Sequence, residues 1–278
     1  MNNSEQRRAL RSAIEAAQAA GAVMKKNFRS PKKINEQTQF DIKLELDVRC
    51  QKLIEKTLFR HFPDVSFLGE EGDEIASDAD FRWVVDPIDG TVNFSYEIPH
   101  SCVSIALQRR KARRAKSKSP QHPDAAYETI VGVVYDPFCD ELFTAIRGQP
   151  ARLNGKIIRV SKRKSLDTAI VSLGFGKTKS SVETTLVYFN ELLRRVRKVR
   201  MMGAAALAMV YVAAGRFDGY VESQIRLWDI AAGGLILECA GGEFWNDPIE
   251  GHGAHAYRML ANNGLLRAQL ESIGKVVA

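Results

Sequence analysis

The chain has 278 residues, 45% hydrophobic and 26% charged, which is ordinary globular composition and long enough to bury a core without disulfide or metal staples. Its four cysteines, Cys50, Cys102, Cys139 and Cys239, form no CxxC pair, and none stands near a histidine at metal-ligand spacing, which argues against a disulfide framework or a zinc site. The net charge of +7 is traced to one stretch, Arg109 to Lys118, with seven basic and no acidic residues; the rest balances at 33 basic against 33 acidic.

In chain order, residues 5–28 carry apolar positions at helical spacing (Leu10, Ile14, Ala17, Gly21, Met24, Phe28). The N-terminus, charged at both ends, lacks the continuous apolar stretch of a signal peptide, and no run reaches the length of a membrane span, so a cytoplasmic location without membrane attachment is expected. A second helix is predicted from about Asp47, read as its cap, to His61. Val65–Leu68 and Trp83–Val85 are short apolar strands, each running into a turn with acidic residues. Strands follow at Cys102–Gln108 and Ile130–Tyr135, separated by a low-complexity basic loop of about residues 109–126, expected to be mobile. Glu141–Ile146 returns as a hairpin partner, and Asn154-Gly155 marks a tight turn. The second half alternates: strands at 168–173, 197–201, 217–222 and 258–261, helices at 180–196, 203–215, 229–240 and 264–274. Alternation of this kind predicts layered α/β architecture.

Three acidic segments stand out: Gly69-Glu70-Glu71, Asp86-Pro87-Ile88-Asp89-Gly90-Thr91 and Trp228-Asp229-Ile230-Ala231-Ala232-Gly233. Alone, each has a plain reading as a solvent-facing pair, a turn and a helix cap. Together they place carboxylates at two strand ends and a helix start. Converging carboxylates repel unless a cation neutralises them, and an all-oxygen donor set suits magnesium with substrate phosphate. Gly90 and Thr91 can then offer backbone N–H groups to an anion.

The run Asp86-Pro-Ile-Asp-Gly-Thr-Val-Asn-Phe94 resembles the first signature of the inositol monophosphatase family, and Trp228–Gly233 its second, with Gly69-Glu70-Glu71 at the matching upstream place. The resemblance runs from about residue 5 to 275. It implies a five-layered αβαβα sugar-phosphatase fold formed by residues 1–278 as one domain, with an α+β part to about 150 and an α/β part from about 151. It implies two or three Mg²⁺ ions, one held by Glu70, Asp86 and the Ile88 carbonyl and a second by Asp86, Asp89 and Asp229. Glu70 and Thr91 would orient the attacking water, Asp47 would support that side, and the Gly90 and Thr91 amides would bind phosphate. No phosphoenzyme is implied.

On the substrate side the resemblance assigns Glu222 to substrate hydroxyls and Gly203, Ala205 and Ser172 to the substrate wall. Leu44 and Ala204 stand where the family carries a hydroxyl residue. His100 reads as structural, Trp83, Trp228 and Phe94 as packing residues, and Met201-Met202 as core. The implied reaction is hydrolysis of a small polyol phosphate monoester, myo-inositol 1-phosphate first. A broad sugar-phosphate phosphatase acting on fructose 1,6-bisphosphate or histidinol phosphate is an alternative. So is an RNA- or transcription-associated binding protein using residues 109–118. The resemblance further implies a homodimer and inhibition by lithium.

Overall fold

A computed structural model describes residues 1–39, 42–72, 74–75, 79–111, 122–176 and 178–274. The chain begins with helix α1 (Asn3–Asn27), strands β1 (Ile34–Gln37) and β2 (Ile42–Leu44) and helix α2 (Glu45–Phe59). It continues through β3 (Ser66–Gly69), β4 (Phe81–Asp89), a short α3 (Thr91–Ser95), β5 (Cys102–Arg110), β6 (Tyr127–Asp136), β7 (Glu141–Ile146), β8 (Arg152–Leu153) and β9 (Lys156–Ile157). The second half runs β10 (Ile170–Gly174), α4 (Lys179–Arg195), β11 (Lys198–Arg200), α5 (Ala205–Ala213), β12 (Gly219–Arg226), α6 (Leu227–Cys239), β13 (Glu243–Pro248), β14 (Ala256–Asn262) and α7 (Arg267–Glu271). Strands β3 to β9 form a seven-stranded sheet in sequence order; the five-stranded sheet has the order β11-β10-β12-β14-β13.

Strand alternation sorts side chains between layers. In β4 and β5, Trp83, Val85, Val103, Ile105 and Leu107 pack with α1 and α2, whereas Val84, Cys102 and Ala106 face α5 and α6. Tyr220, Ile225, Tyr257, Met259 and Ala261 of the second sheet close the same middle core. Its far face, with Val171, Leu173, Val221 and Leu260, packs on Tyr188 and Leu192 of α4 and on Leu270 of α7. Helices, sheet, helices, sheet, helices therefore give the expected five layers. No helix among the described residues is long and apolar enough to cross a membrane.

Several local expectations change. The packed face of α1 is a stripe of Ala9, Ala13, Ala16, Ala17, Ala20 and Met24, while Leu10 and Ile14 are half-buried at its margin. Small side chains let the helix approach the sheet; a Cβ on Gly21 would sit 2.6 Å from the Tyr135 ring. The β1–β2 pair and β13 carry too little apolar alternation to read as strands. Strand β4 does not stop at Val85: it continues through Pro87 to Asp89, with a register shift against β5 between Asp86 and Asp89. Proline has no N–H for the ladder, so the shift falls where pairing is lost anyway. Asp47 is not the cap of α2 but its third residue, and its carboxylate accepts the Leu44 N–H at 2.7 Å. Met201 is 59% exposed, not core, because β11 ends one residue earlier at the sheet edge. Residues 112–121 of the basic loop lie outside the described residues. Just after them, Asp124 is buried against Arg82 at 2.6 Å and Tyr257 at 2.7 Å.

Candidate active site

The parity that sends Val84 toward α6 also sends Asp86 there, two residues on. Helix α6 follows β12 directly, and its third residue, Asp229, accepts the Arg226 N–H at 3.0 Å. The Ser104 hydroxyl of β5 donates to the Trp228 carbonyl at 3.0 Å and pins the helix start over the first sheet. As a result Asp86, Asp89 and Asp229 each bring a carboxylate oxygen within 4.8 Å of the others. They line a cleft of about 270 Å³ together with Glu70, which follows β3, and with Ile88, Gly90, Thr91, Ser172, Gly203, Ala205 and Glu222.

Asp89 has a second task. Its two oxygens accept the Ala205 N–H at 3.0 Å and the Ala206 N–H at 2.8 Å, and the Cys102 thiol donates at 3.4 Å. The N-cap of α5 is Ala204, which offers no capping oxygen, so Asp89 caps that helix from another strand. Even so, burial raises its pKa to about 6 against the lowering by these donors. Asp86 is pushed well above the usual carboxylate range, by burial first and then by Glu70, Asp89 and Asp229. Four acids with oxygen donors only, three of them in mutual reach and two raised for want of counter-charge, fit a hard divalent cation such as magnesium.

The same shifts dictate a pH dependence. A carboxyl whose folded pKa exceeds its unfolded value near 3.8 stabilises the fold below that pH and loses the contribution as pH rises through its folded pKa. For Asp89 alone this is roughly 3 kcal/mol. Chelator-treated protein is therefore expected to melt lower at pH 7 than at pH 4.5, and magnesium at pH 7 to restore the difference. Calorimetry at the two pH values, with and without the ion, checks this; a flat metal-free profile contradicts it.

Beyond Asp89 the chain turns through Gly90 at φ +87° into α3. The Thr91 hydroxyl donates to the Ile88 carbonyl at 2.9 Å. The Asn93 amide donates to the carbonyls of His100 at 2.9 Å and Met202 at 2.8 Å, fastening this loop to the segment before β5 and to the cleft wall at Met202.

A sequence model of the inositol monophosphatase family matches residues 5–115 and 125–272. Inositol monophosphatase 1 of Solanum lycopersicum is 37% identical over 262 residues, covering 92% of this chain and 90% of that protein. Nus factor SuhB of Salmonella typhimurium is 38% identical over 254 residues, covering 90% and 88%. The structure of inositol monophosphatase from Anabaena (Nostoc) superposes with a TM-score of 0.78 at 32% identity, covering 95% of this chain and 94% of that one. The chain belongs to the inositol monophosphatase family. It is a phosphoric monoester hydrolase with the fold of that family.

Of the residues to which the family resemblance assigns a role in the site, all but Asp47 line the cleft. Asp47 is buried at the start of α2. Ser172 is buried and its hydroxyl donates to the Arg200 carbonyl at 3.3 Å. Trp83 and Phe94 are fully buried. His100 lies outside the cleft, edge-on to Tyr211, with burial lowering its pKa. Met202 packs half-buried against the middle core, as expected, and also lines the cleft.

Two neighbours of Glu222 escaped the sequence reading. The Tyr220 hydroxyl donates to the Glu222 carboxylate, and a Cβ on Gly174 would run into that same carboxylate. The signal for Tyr220 was available, since i and i+2 on a strand share a face. Gly174 carried none, because its partner lies on the neighbouring strand.

Proposed function

We propose that this hydrolase acts on small polyol phosphate monoesters, myo-inositol 1-phosphate first, with magnesium. The observation that carries the reading is the convergence of Asp86, Asp89 and Asp229 within 4.8 Å in the cleft that also holds Gly90 and Thr91. Glu70, Asp86 and the Ile88 carbonyl would hold one ion, and Asp86, Asp89 and Asp229 a second; a carbonyl keeps a lone pair beside the bond from Thr91. Magnesium there supplies Lewis acidity toward the phosphoryl oxygens and lowers the pKa of coordinated water.

The chain's own groups do the positioning. The Gly90 and Thr91 N–H groups bind phosphate oxygens. With its proton given to Ile88, the Thr91 oxygen turns its lone pairs toward the attacking water, and Glu70 orients that water from the other side. Asp47 steadies the start of α2 behind them. No cysteine or histidine is among the described lining residues, and the family resemblance implies no phosphoenzyme, so the proposed transfer goes directly to water. Glu222 accepts from substrate hydroxyls, beside the wall made by Gly203, Ala205 and Ser172.

A phosphate-release screen over inositol, sugar and aromatic phosphates, with and without magnesium, tests the proposal. Magnesium-dependent release, fastest with myo-inositol 1-phosphate, is the expected result; no release from any ester would refute it.

Tyr220→Phe and Gly174→Ala refine the test. One removes the donor that orients Glu222, the other puts a methyl group where the carboxylate lies. Each is expected to lower kcat/KM for the polyol phosphate about tenfold, mainly through KM, with little effect on p-nitrophenyl phosphate. An equal loss on both substrates would remove Glu222 from the specificity role.

A further inference from the structure

Charge outside residues 109–118 balances in number but not in space. Two basic runs that the sequence keeps about 30 residues apart, Lys162-Arg163-Lys164 and Arg194 to Arg200, are brought side by side at the edge of the five-stranded sheet. Strand β10 pairs in parallel with the edge strand β11, Ile170 opposite Lys198. The Arg197 N–H bonds the carbonyls of Leu166 at 3.2 Å and Ala169 at 3.0 Å. The result is a continuous band of eight exposed basic side chains with three acids nearby, Asp167, Glu191 and Asp218.

Three of the eight have structural work. Arg194 and Arg195 sit at the C-terminus of α4 and pair with Glu191 at 2.9 and 3.7 Å, and Arg163 pairs with buried Asp218 at 2.8 Å. Lys162, Lys164, Arg197, Lys198 and Arg200 make no ion pair with another described residue. Five uncompensated cations along a rigid strand edge and its neighbouring loop raise the local potential and call for a partner of high negative charge density.

We infer that this band is a docking surface for the phosphate backbone of a nucleic acid. A membrane would need exposed apolar anchors among the cations, but Val196 and Val199 within the band are half-buried, and the exposed Leu193 and Met201 lie only at its two ends. An acidic protein partner would need an apolar or aromatic centre, and residues 162–165 and 194–200 contain no aromatic side chain. For the same reason the contact has no stacking platform. Binding is through phosphates, indifferent to base sequence and strongly weakened by salt. The surface is separate from Arg109–Lys111, which continue from β5 of the other sheet.

Fluorescence anisotropy of a fluorescein-labelled oligouridylate, titrated with the full chain at several salt concentrations, tests this. The fourfold variant Lys162→Gln/Lys164→Gln/Arg197→Gln/Lys198→Gln leaves Arg200 in place, because the chain enters the cleft wall two residues later. It is expected to bind at least about tenfold more weakly at low salt, and its log K against log salt slope to be shallower by about 3. Its melting temperature and phosphate release are expected to match the parent. Should it fail to fold, the loop pair Lys162→Gln/Lys164→Gln carries the test with about half the slope change. Unchanged affinity and slope overturn the inference. So does RNA binding lost only on replacing Arg109, Arg110 and Lys111, or capture of phosphatidylserine vesicles but not RNA through these residues.

Discussion

Asp86→Asn is expected to lower magnesium-dependent phosphate release by about a thousand-fold or more while raising the melting temperature of the metal-free protein. The two effects share one cause. Asp86 is almost fully buried, faces Glu70, Asp89 and Asp229, and has its pKa driven up by burial and by those charges. An asparagine keeps the acceptor for the Ile88 N–H, now at 2.9 Å, and its amide donates into the remaining carboxylates. It removes a desolvated charge from the empty protein and a ligand from both proposed ion positions. Differential scanning calorimetry in chelator, paired with phosphate-release kinetics, reads both. A variant less stable than the parent yet active would remove Asp86 from the ion site.

Gly90→Ala is expected to destabilise the fold by about 1–3 kcal/mol and to lower turnover about a hundredfold or more. At φ +87° any other residue is strained, and a Cβ would lie 3.0 Å from the His100 carbonyl, 3.1 Å from the Ala204 methyl and 3.2 Å from the Gly203 carbonyl. Relief requires the loop to move off these walls, which carries the Gly90 and Thr91 amides with it. Asp89, one residue back, caps α5 through Ala205 and Ala206, so the same displacement loosens that helix. Urea melts and kinetics with saturating magnesium measure the two losses. Full activity with the stability loss alone would show that the amides do not bind phosphate.

Much of the site was legible because each acidic segment ends a buried strand or opens a helix, where chain direction fixes where a carboxylate points. That Glu70, Asp86, Asp89 and Asp229 belong to one site was implied by the resemblance to the family, since chain direction alone leaves their convergence open. What could not be read depends on pairing between distant strands. The Cys102 thiol reaches Asp89 only because β5 lies beside β4, and Gly174 matters only because Glu222 passes over it from β12. Asp47 was misassigned as a cap because capping preference does not separate the first residue outside a helix from its third residue inside. Strand β13 lies in a Gly- and Pro-flanked stretch that local propensity reads as turn, and it forms because β14 offers it a partner. The basic band was hidden by a balanced total, since counting charges says nothing of where the sheet gathers them.

The proposed hydrolysis depends on cations held in the cleft by Glu70, Asp86, Asp89 and Asp229. Crystals grown with manganese in place of magnesium, measured at the manganese absorption edge, interrogate it directly. Anomalous peaks between these four side chains, lost in Asp86→Asn, are the predicted result. A map with no peak in the cleft, from protein that still hydrolyses phosphate esters in manganese, would contradict it.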